Sequence, residues 1–105
     1  VFFATNKTSL TTASRATLRK QATYLRKNKN LSVTIEGHAD ERGTREYNLA
    51  LGERRANSAR DYLMTYGISG KRISTISYGK EKPVNPGSDA LAWSQNRRSV
   101  TVKVN

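Results

Sequence analysis

The sequence predicts an α+β sandwich in which two main helices pack on one face of a small mixed four-stranded sheet. Three features of the chain support this prediction. Several short segments alternate apolar and polar residues, which is the period of a half-buried strand. Two longer segments repeat small or apolar residues at the helical period. Taken in order, the segments follow the pattern β-α-β-α-β-β, with a long loop before the last strand.

The first half of the chain supplies two predicted strands and one helix. Residues 1–3 form a short apolar run and are predicted as a strand. Residues 12–29 place small and apolar residues between charges, which is typical of an amphipathic helix, and Thr11 or Thr12 can cap its N-terminus. Residues 31–36 alternate regularly and predict the second strand. Right-handed crossovers are expected wherever consecutive strands run parallel.

The second half supplies the other helix and two further strands. The helix is predicted over residues 45–66 and ends at Gly67 as its C-cap. Its apolar stripe consists of Leu49, Ala56, Ala59 and Leu63. Alternation predicts strands at residues 73–78 and 99–104. The segment between these strands contains both prolines of the chain and is predicted as a long loop, with a helical turn at residues 93–97.

Length and composition indicate one globular domain spanning residues 1–105. The chain begins without a basic region, an apolar signal segment or an initiator Met, so we expect an excised domain whose linker or lipid anchor lies upstream. The sequence contains no run of about 18 apolar residues, so no membrane span is predicted. Cysteine is absent, which excludes disulfides, thiolate metal sites and a cysteine nucleophile.

The net charge points to an anionic partner. Nineteen Lys and Arg against eight Asp and Glu give a formal charge of +11. Such an excess favours nucleic acid, an anionic lipid surface or an acidic cell-wall polymer, although solubility alone is the plainer explanation. A basic nucleic-acid-binding module is therefore the alternative function, with the tyrosines and Trp93 available for stacking. No RNP-type strand, KH-type loop or helix-turn-helix signature supports it.

Residues 36–60 carry the densest group of chemically active side chains, in a glycine-flanked loop that runs into the second helix. His38, Asp40 and Glu41 are adequate metal ligands in type. The chain has one His, however, and arginines surround the carboxylates, so ion pairing is favoured and no metal is predicted. Neither a G-x-S-x-G element nor a glycine-rich phosphate loop occurs. We therefore predict neither an enzyme nor a cofactor.

Recognition of a carboxylate is the third possibility for this segment. Arg55 lies seven residues after Asn48, so both side chains leave the helix in the same direction. The guanidinium fork matches a carboxylate, and Asp40 in the preceding loop offers acceptors to an ammonium group. Together Arg55 and Asp40 fit a zwitterionic amino-acid head group. A structural Asp40–Arg55 salt bridge without ligand is the alternative, and the residues alone favour neither.

Four motifs resemble a known family. They are G-H-A-D-E-R-G-T at residues 37–44, E-Y-N-x-x-L-G-E-R-R-A-N at residues 46–57, I-S-x-x-S-Y-G-K-E-K-P at residues 73–83 and W-S-Q-N-R-R-S-V at residues 93–100. These motifs resemble the OmpA-like peptidoglycan-binding domains, and among them the peptidoglycan-associated lipoproteins of Tol–Pal systems. The resemblance covers nearly the whole chain.

The resemblance implies a non-catalytic module that binds the peptide stem of peptidoglycan through its meso-diaminopimelate. It also implies a place at the periplasmic face of the outer membrane of a Gram-negative bacterium, reached through an N-terminal lipid anchor. TolB and other Tol proteins are the implied protein partners, and nucleic acid is not one.

The resemblance also implies the site residues. Asp40 and Arg55 are expected to hold the diaminopimelate head group. The rest of the implied cleft consists of Ala39, Thr44, Asn48 and Leu51, with Arg97 at its rim. One departure stands out, because Ala4 and Asn6 replace the two acids of the usual F-D-x-D pattern. We therefore expect a more cationic cleft than the family usually has.

Overall fold

A computed structural model describes residues 1–104 of the chain. Its elements are α1 (Thr12–Lys27), β1 (Val33–His38), α2 (Arg45–Thr65), β2 (Ile73–Gly79), α3 (Ala90–Asn96) and β3 (Ser99–Lys103), with one 3-10 turn at Gly70–Arg72. The strand order is β2-β1-β3. Strand β1 runs parallel to β2 and antiparallel to β3, so the sheet is mixed. The predicted α+β class is confirmed.

The strand predicted at residues 1–3 appears only as a single bridge, in which Phe2 lies antiparallel to Arg98. Ser99 donates its backbone N–H to the Val1 carbonyl at 2.7 Å, and Phe3 donates to the Arg97 carbonyl at 2.9 Å. Pairing ends there because the chain turns at residues 4–7, where Asn6 has a φ of 55°. Within the described residues the sheet therefore has three strands, not the four predicted.

The two long helices begin where the sequence predicts. The Thr11 side chain accepts a hydrogen bond from the Ser14 N–H at 3.0 Å, which caps α1. The Thr44 side chain caps α2 in the same way, by accepting from the Tyr47 N–H at 3.1 Å. Helix α2 is followed by Gly67, whose φ of 85° suits the left-handed turn expected of a C-terminal glycine. No helix in the described part of the chain is long and apolar enough to cross a membrane.

Both long helices pack on the same face of the sheet. The core joins side chains of α1 and α2 to the inward side chains of β1 and to the start of β2. Its buried members are Leu18, Ala22, Leu25, Val33, Ile35, Ala56, Ala59, Leu63, Ile68 and Ile73. The predicted stripe of α2 is only partly correct, because Leu49 is half-buried while Leu51 and Arg55 are buried. A charged side chain therefore lies on the inner side of this helix.

Helix α3 is longer than the helical turn predicted at residues 93–97. Asp89 begins it by accepting a hydrogen bond from the Ala92 N–H at 2.8 Å. At its other end, the Asn96 side-chain oxygen accepts from the N–H groups of Val84 and Asn85 at 2.8 and 3.1 Å. The Asn96 amide group also donates to the Asn85 carbonyl at 2.8 Å. One side chain thus attaches the proline-containing loop to the helix.

Two glycines allow α2 to cross the sheet at very short range. A Cβ atom built on Gly37 in β1 overlaps the carbonyl group of Gly52 in α2. A Cβ built on Gly52 overlaps the Ser77 hydroxyl and lies 2.9 Å from the Gly37 carbonyl oxygen. The neighbouring atoms are mostly backbone, which cannot move aside without shifting a whole element. The position of α2 over the sheet therefore depends on both glycines.

We expect Gly37→Ala to lower the free energy of unfolding by about 3 kcal/mol or more, because the added methyl group forces α2 away from β1. Urea unfolding followed by circular dichroism measures the change. Gly70→Ala is the control, since a Cβ there meets only the flexible ends of Arg60 and Met64, and we expect it to stay within about 1 kcal/mol. Equal stability of the two variants would contradict the close approach.

Candidate ligand-binding site

A polar cavity of about 280 Å³ lies where β1 ends and α2 begins. The chain leaves β1 through an irregular pairing at Gly37 and His38 and passes through a short loop before Thr44 starts α2. The turn at residues 4–7 closes the opposite side. The cavity is lined by Thr5, Asn6, Asp40, Arg42, Gly43, Tyr47, Asn48 and Leu51.

Asp40 is the one carboxylate among these lining residues, and two arginines neutralise it. Arg42 donates from Nε to Oδ1 at 3.1 Å, from Nη2 to Oδ2 at 2.8 Å, and from its backbone N–H to Oδ1 at 3.0 Å. Arg97 adds a longer contact from Nη1 to Oδ2 at 3.4 Å. Burial alone raises the pKa of Asp40, but the bonds from Arg42 and then Arg97 outweigh it and lower the pKa below its ordinary value.

Arg42 reaches across the mouth of the cavity. Its guanidinium carbon lies 4.2 Å from the centre of the Trp93 ring, and Nη2 lies 3.4 Å from the Thr5 hydroxyl. Trp93 is itself held by Glu41, which accepts its indole N–H at 2.7 Å. The side chain of Arg42 is 42% exposed, so solvent and ligands reach it. Arg42 was not among the predicted site residues, although its position two residues after Asp40 is compatible with a local ion pair.

Arg55 lies behind the cavity wall with none of its surface exposed. Three of its N–H groups donate to backbone carbonyls, from Nε to Lys7 at 3.0 Å, from Nη1 to His38 at 2.9 Å and from Nη2 to Ala4 at 3.1 Å. Burial, and then the charge of Arg97, lower its pKa to about 10. At neutral pH the group therefore remains a buried cation, stabilised by carbonyl oxygens.

Asp40 and Arg55, the two members of the predicted zwitterion site, form no ion pair with each other in the described part of the chain. Within the described residues Asp40 forms ion pairs with Arg42 and Arg97, and none with Arg55. The structural Asp40–Arg55 salt bridge considered as the alternative was therefore wrong. Arg97, which was predicted at the rim, is not among the lining residues; its Nε donates to the Phe3 carbonyl at 2.9 Å and its side chain is 15% exposed.

The remaining predicted residues divide into two groups. Asn48 and Leu51 line the cavity, and the Asn48 amide donates to the Arg42 carbonyl at 2.8 Å. Thr44 and Ala39 do not line it. The Thr44 side chain serves as the cap of α2, and Ala39 donates its backbone N–H to the Gly79 carbonyl at 2.8 Å. Ala39 instead borders a smaller cavity of about 50 Å³ beside the proline-containing loop.

His38 is buried, and its ring contacts Glu36 and Tyr78, which do not line the cavity. Its Nε2 lies 3.2 Å from Glu36 Oε1, and its ring stacks on Tyr78 with centroids 5.5 Å apart. Burial first and the nearby Arg98 charge second lower its pKa, which favours the neutral ring. Among the residues that the structure describes, no three His, Asp or Glu side chains are grouped to hold a metal ion.

Comparison with known proteins gives concordant results. The OmpA family model matches residues 2–97. The peptidoglycan-associated lipoprotein of Rhizobium meliloti (strain 1021) is 61% identical over 102 residues, which are 97% of this chain and 58% of the relative. The crystal structure of the peptidoglycan-associated lipoprotein from Burkholderia pseudomallei has a TM-score of 0.95 at 41% identity, covering 98% of this chain and 87% of that one.

A more distant structure shares the fold alone. The C-terminal domain of Helicobacter pylori MotB has a TM-score of 0.90 at 19% identity, over 99% of this chain and 82% of that one. The chain spans 58% of the length of the first two curated relatives that it matches. Because the family model covers nearly all residues and the identity to curated relatives is high, this chain belongs to the OmpA family.

Proposed function

We propose that this chain is a non-catalytic domain that binds peptidoglycan through the meso-diaminopimelate of its stem peptide. The supporting observation is the cavity at Asp40, where one ionised carboxylate lies among guanidinium groups. Such a set offers an acceptor to the ammonium of an amino acid and donors to its carboxylate. Its two similar relatives are named for their association with peptidoglycan.

Asp40 is the proposed acceptor for the ligand's ammonium group. Its lowered pKa keeps it ionised at neutral pH. When the ammonium binds, it takes the place of the Arg42 side chain, and Asp40 stays paired throughout. This exchange avoids the high cost of leaving a largely buried charge without a partner.

Arg42 is the proposed first contact for the ligand's carboxylate. It is the accessible guanidinium of the cavity, and leaving Asp40 frees its planar donors for a bidentate bond. Leu51 supplies an apolar wall against which the methylene chain of diaminopimelate can pack. The Asn48 side chain holds the loop in place through its hydrogen bond to the Arg42 carbonyl. Thr44 and Ala39 contribute indirectly, because Thr44 caps α2 and the Ala39 N–H bonds to the Gly79 carbonyl, which fixes the backbone beside the cavity.

Arg55 is proposed to bind the same carboxylate with the N–H groups that the backbone leaves free. A guanidinium has five N–H donors, and three of those of Arg55 are used by Ala4, Lys7 and His38. Because the side chain is fully buried, direct contact requires the turn at residues 4–7 to move. The turn holds Asn6 at a positive φ, which non-glycine residues seldom adopt.

At the level of the cell, we propose that the domain tethers the outer membrane to the cell wall as part of a Tol–Pal system. A lipid anchor upstream of the domain supplies the membrane end, and the cavity supplies the wall end. TolB is the proposed protein partner, and Arg97, which contacts Asp40, is the residue where we propose that this partner and peptidoglycan meet. Titrating TolB against the muropeptide complex shows whether the two compete for this surface.

Asp40→Asn should weaken binding of a diaminopimelate-containing muropeptide by roughly 10- to 150-fold, since one charge-assisted bond contributes about 1.5–3 kcal/mol. Calorimetric titration measures the affinity. Asp61→Asn is the matched control, because it removes the same charge from an exposed site on α2. Unchanged binding by Asp40→Asn would contradict the proposal. Salt-dependent DNA binding by both variants, without any muropeptide binding, would favour the nucleic-acid alternative.

Arg42→Ala should weaken muropeptide binding about tenfold, because the carboxylate loses its accessible guanidinium. Calorimetry again gives the affinity, with Arg45→Ala as the control, since Arg45 is exposed and pairs with Glu81. Tighter binding by Arg42→Ala would show that this side chain only competes with the ligand for Asp40.

Arg55→Lys should lower the free energy of unfolding by about 3 kcal/mol or more, because one ammonium cannot reach the carbonyls of Ala4, Lys7 and His38 together. Urea unfolding measures this loss, with Arg54→Lys as the exposed neighbouring control. Muropeptide affinity, measured where both variants remain folded, should also fall about tenfold in Arg55→Lys. A loss of stability with unchanged muropeptide affinity would contradict ligand contact and would show that the role of Arg55 is purely structural.

A further inference from the structure

Basic and acidic residues are separated along this chain. Residues 1–35 contain no Asp or Glu, and Glu36 is the first carboxylate. The same segment contains the cations Lys7, Arg15, Arg19, Lys20, Arg26, Lys27 and Lys29. The carboxylates that follow β1 include Asp40, Glu41 and Glu81, which accept hydrogen bonds from neighbouring side chains. The segment that precedes β1 therefore carries cations without any carboxylate of its own.

The fold gathers five exposed cations at the end of the molecule opposite the cavity. Val33 at the start of β1 lies beside Ile73 at the start of β2 and beside Lys103 at the end of β3. Helix α1 ends at the same side, because the turn that follows it leads directly into β1. The cavity lies at the other end, beyond His38. We call this end the basic pole, and its cations are Arg26, Lys27, Lys29, Lys71 and Lys103.

The basic pole has a rigid base but no carboxylate partners among the described residues. Arg72 donates to the carbonyls of Leu25, Asn28 and Leu31 at 2.8, 2.8 and 3.0 Å, which fixes the turn after α1. The ion pairs of the described chain involve other cations. Like charges held together without counterions repel one another, so an external anionic surface lowers their energy.

Apolar side chains lie exposed beside these cations. Tyr24 is 45% exposed and lies under Lys103, whose ammonium nitrogen is 4.9 Å from the centre of its ring. Met64 is 40% exposed and lies next to Gly70, at the foot of β2. Mixed cationic and amphipathic side chains suit the interface between phospholipid head groups and acyl chains better than a purely polar polymer.

We propose that the basic pole docks on the anionic surface of a phospholipid membrane. Charge complementarity supplies the attraction, and the exposed Tyr24 and Met64 give it a preference for lipid. The position of the pole fits this partner, because the cavity lies beyond the opposite end of β1 and stays free for another ligand. If the proposed function holds, one domain contacts the wall through its cavity while its basic pole rests on the membrane.

Co-sedimentation with vesicles of mixed phosphatidylcholine and phosphatidylglycerol tests this proposal. The pole variant is Lys27→Gln with Lys29→Gln and Lys71→Gln. Each lost cation should weaken partitioning about fivefold, so the triple change should lower it on the order of a hundredfold. The control variant, Arg45→Gln with Arg54→Gln and Lys82→Gln, removes three charges that lie outside the basic pole. Its partitioning to vesicles should fall by about tenfold at most, because charges more than a Debye length of about 10 Å from the membrane are screened at 0.1 M salt.

Three results would overturn the proposal. Equal losses in the two variants would mean that diffuse net charge, not the pole, drives binding. Equal binding to vesicles of phosphatidylcholine alone would exclude recognition of anionic lipid. Tighter binding of duplex DNA than of vesicles, with the same dependence on the pole, would assign this surface to nucleic acid. Muropeptide affinity is measured separately, so failure at the cavity and failure at the pole are distinguishable.

Discussion

The structure depends most on the buried guanidinium of Arg55. It joins the turn at residues 4–7, the end of β1 and the inner side of α2, which are far apart in sequence. A buried cation is normally costly, but here carbonyl oxygens replace the water that it loses. Its pKa of about 10 keeps it charged at neutral pH, when its hydrogen bonds are strongest. The wall of the cavity is therefore built on an interaction that is itself out of reach of solvent.

Charge is arranged differently on the two sides of that wall. Behind it, carbonyl dipoles stabilise the positive charge of Arg55, and in front of it Asp40 forms ion pairs with Arg42 and Arg97. Ala4 and Asn6 carry no charge, so Asp40 is the one carboxylate that lines the cavity. In the proposed function, a zwitterion that enters this cavity exchanges one ion pair for another, so the balance of charge stays intact. Under that proposal, selectivity comes from the spacing of the ligand's ammonium and carboxylate groups.

The long elements could be predicted because their signals are local. The helix boundaries are set by single residues: the side chains of Thr11 and Thr44 cap the N-termini, and Gly67 adopts the left-handed backbone that ends α2. The extent of the first strand could not be predicted, because the turn that follows it ends its pairing after one bridge. The length of α3 could not be predicted either, because this helix depends on hydrogen bonds between Asn96 and a distant loop. Sequence reasoning found Asp40 and Asn48 at the cavity but missed Arg42, because pairing with Asp40 and stacking on Trp93 are tertiary. The same reasoning placed Arg55 in contact with ligand, since helical period alone does not reveal the carbonyls that surround it.

The contact between the two ends of the described residues has a consequence for folding. Val1 and Ser99 exchange backbone hydrogen bonds across 98 positions, at 3.1 and 2.7 Å. Closing so long a loop costs conformational entropy, so we expect this pairing to form after the more local contacts of α1, β1 and α2. The turn at residues 4–7 follows directly on this pairing, so the core can form first and the cavity is completed later.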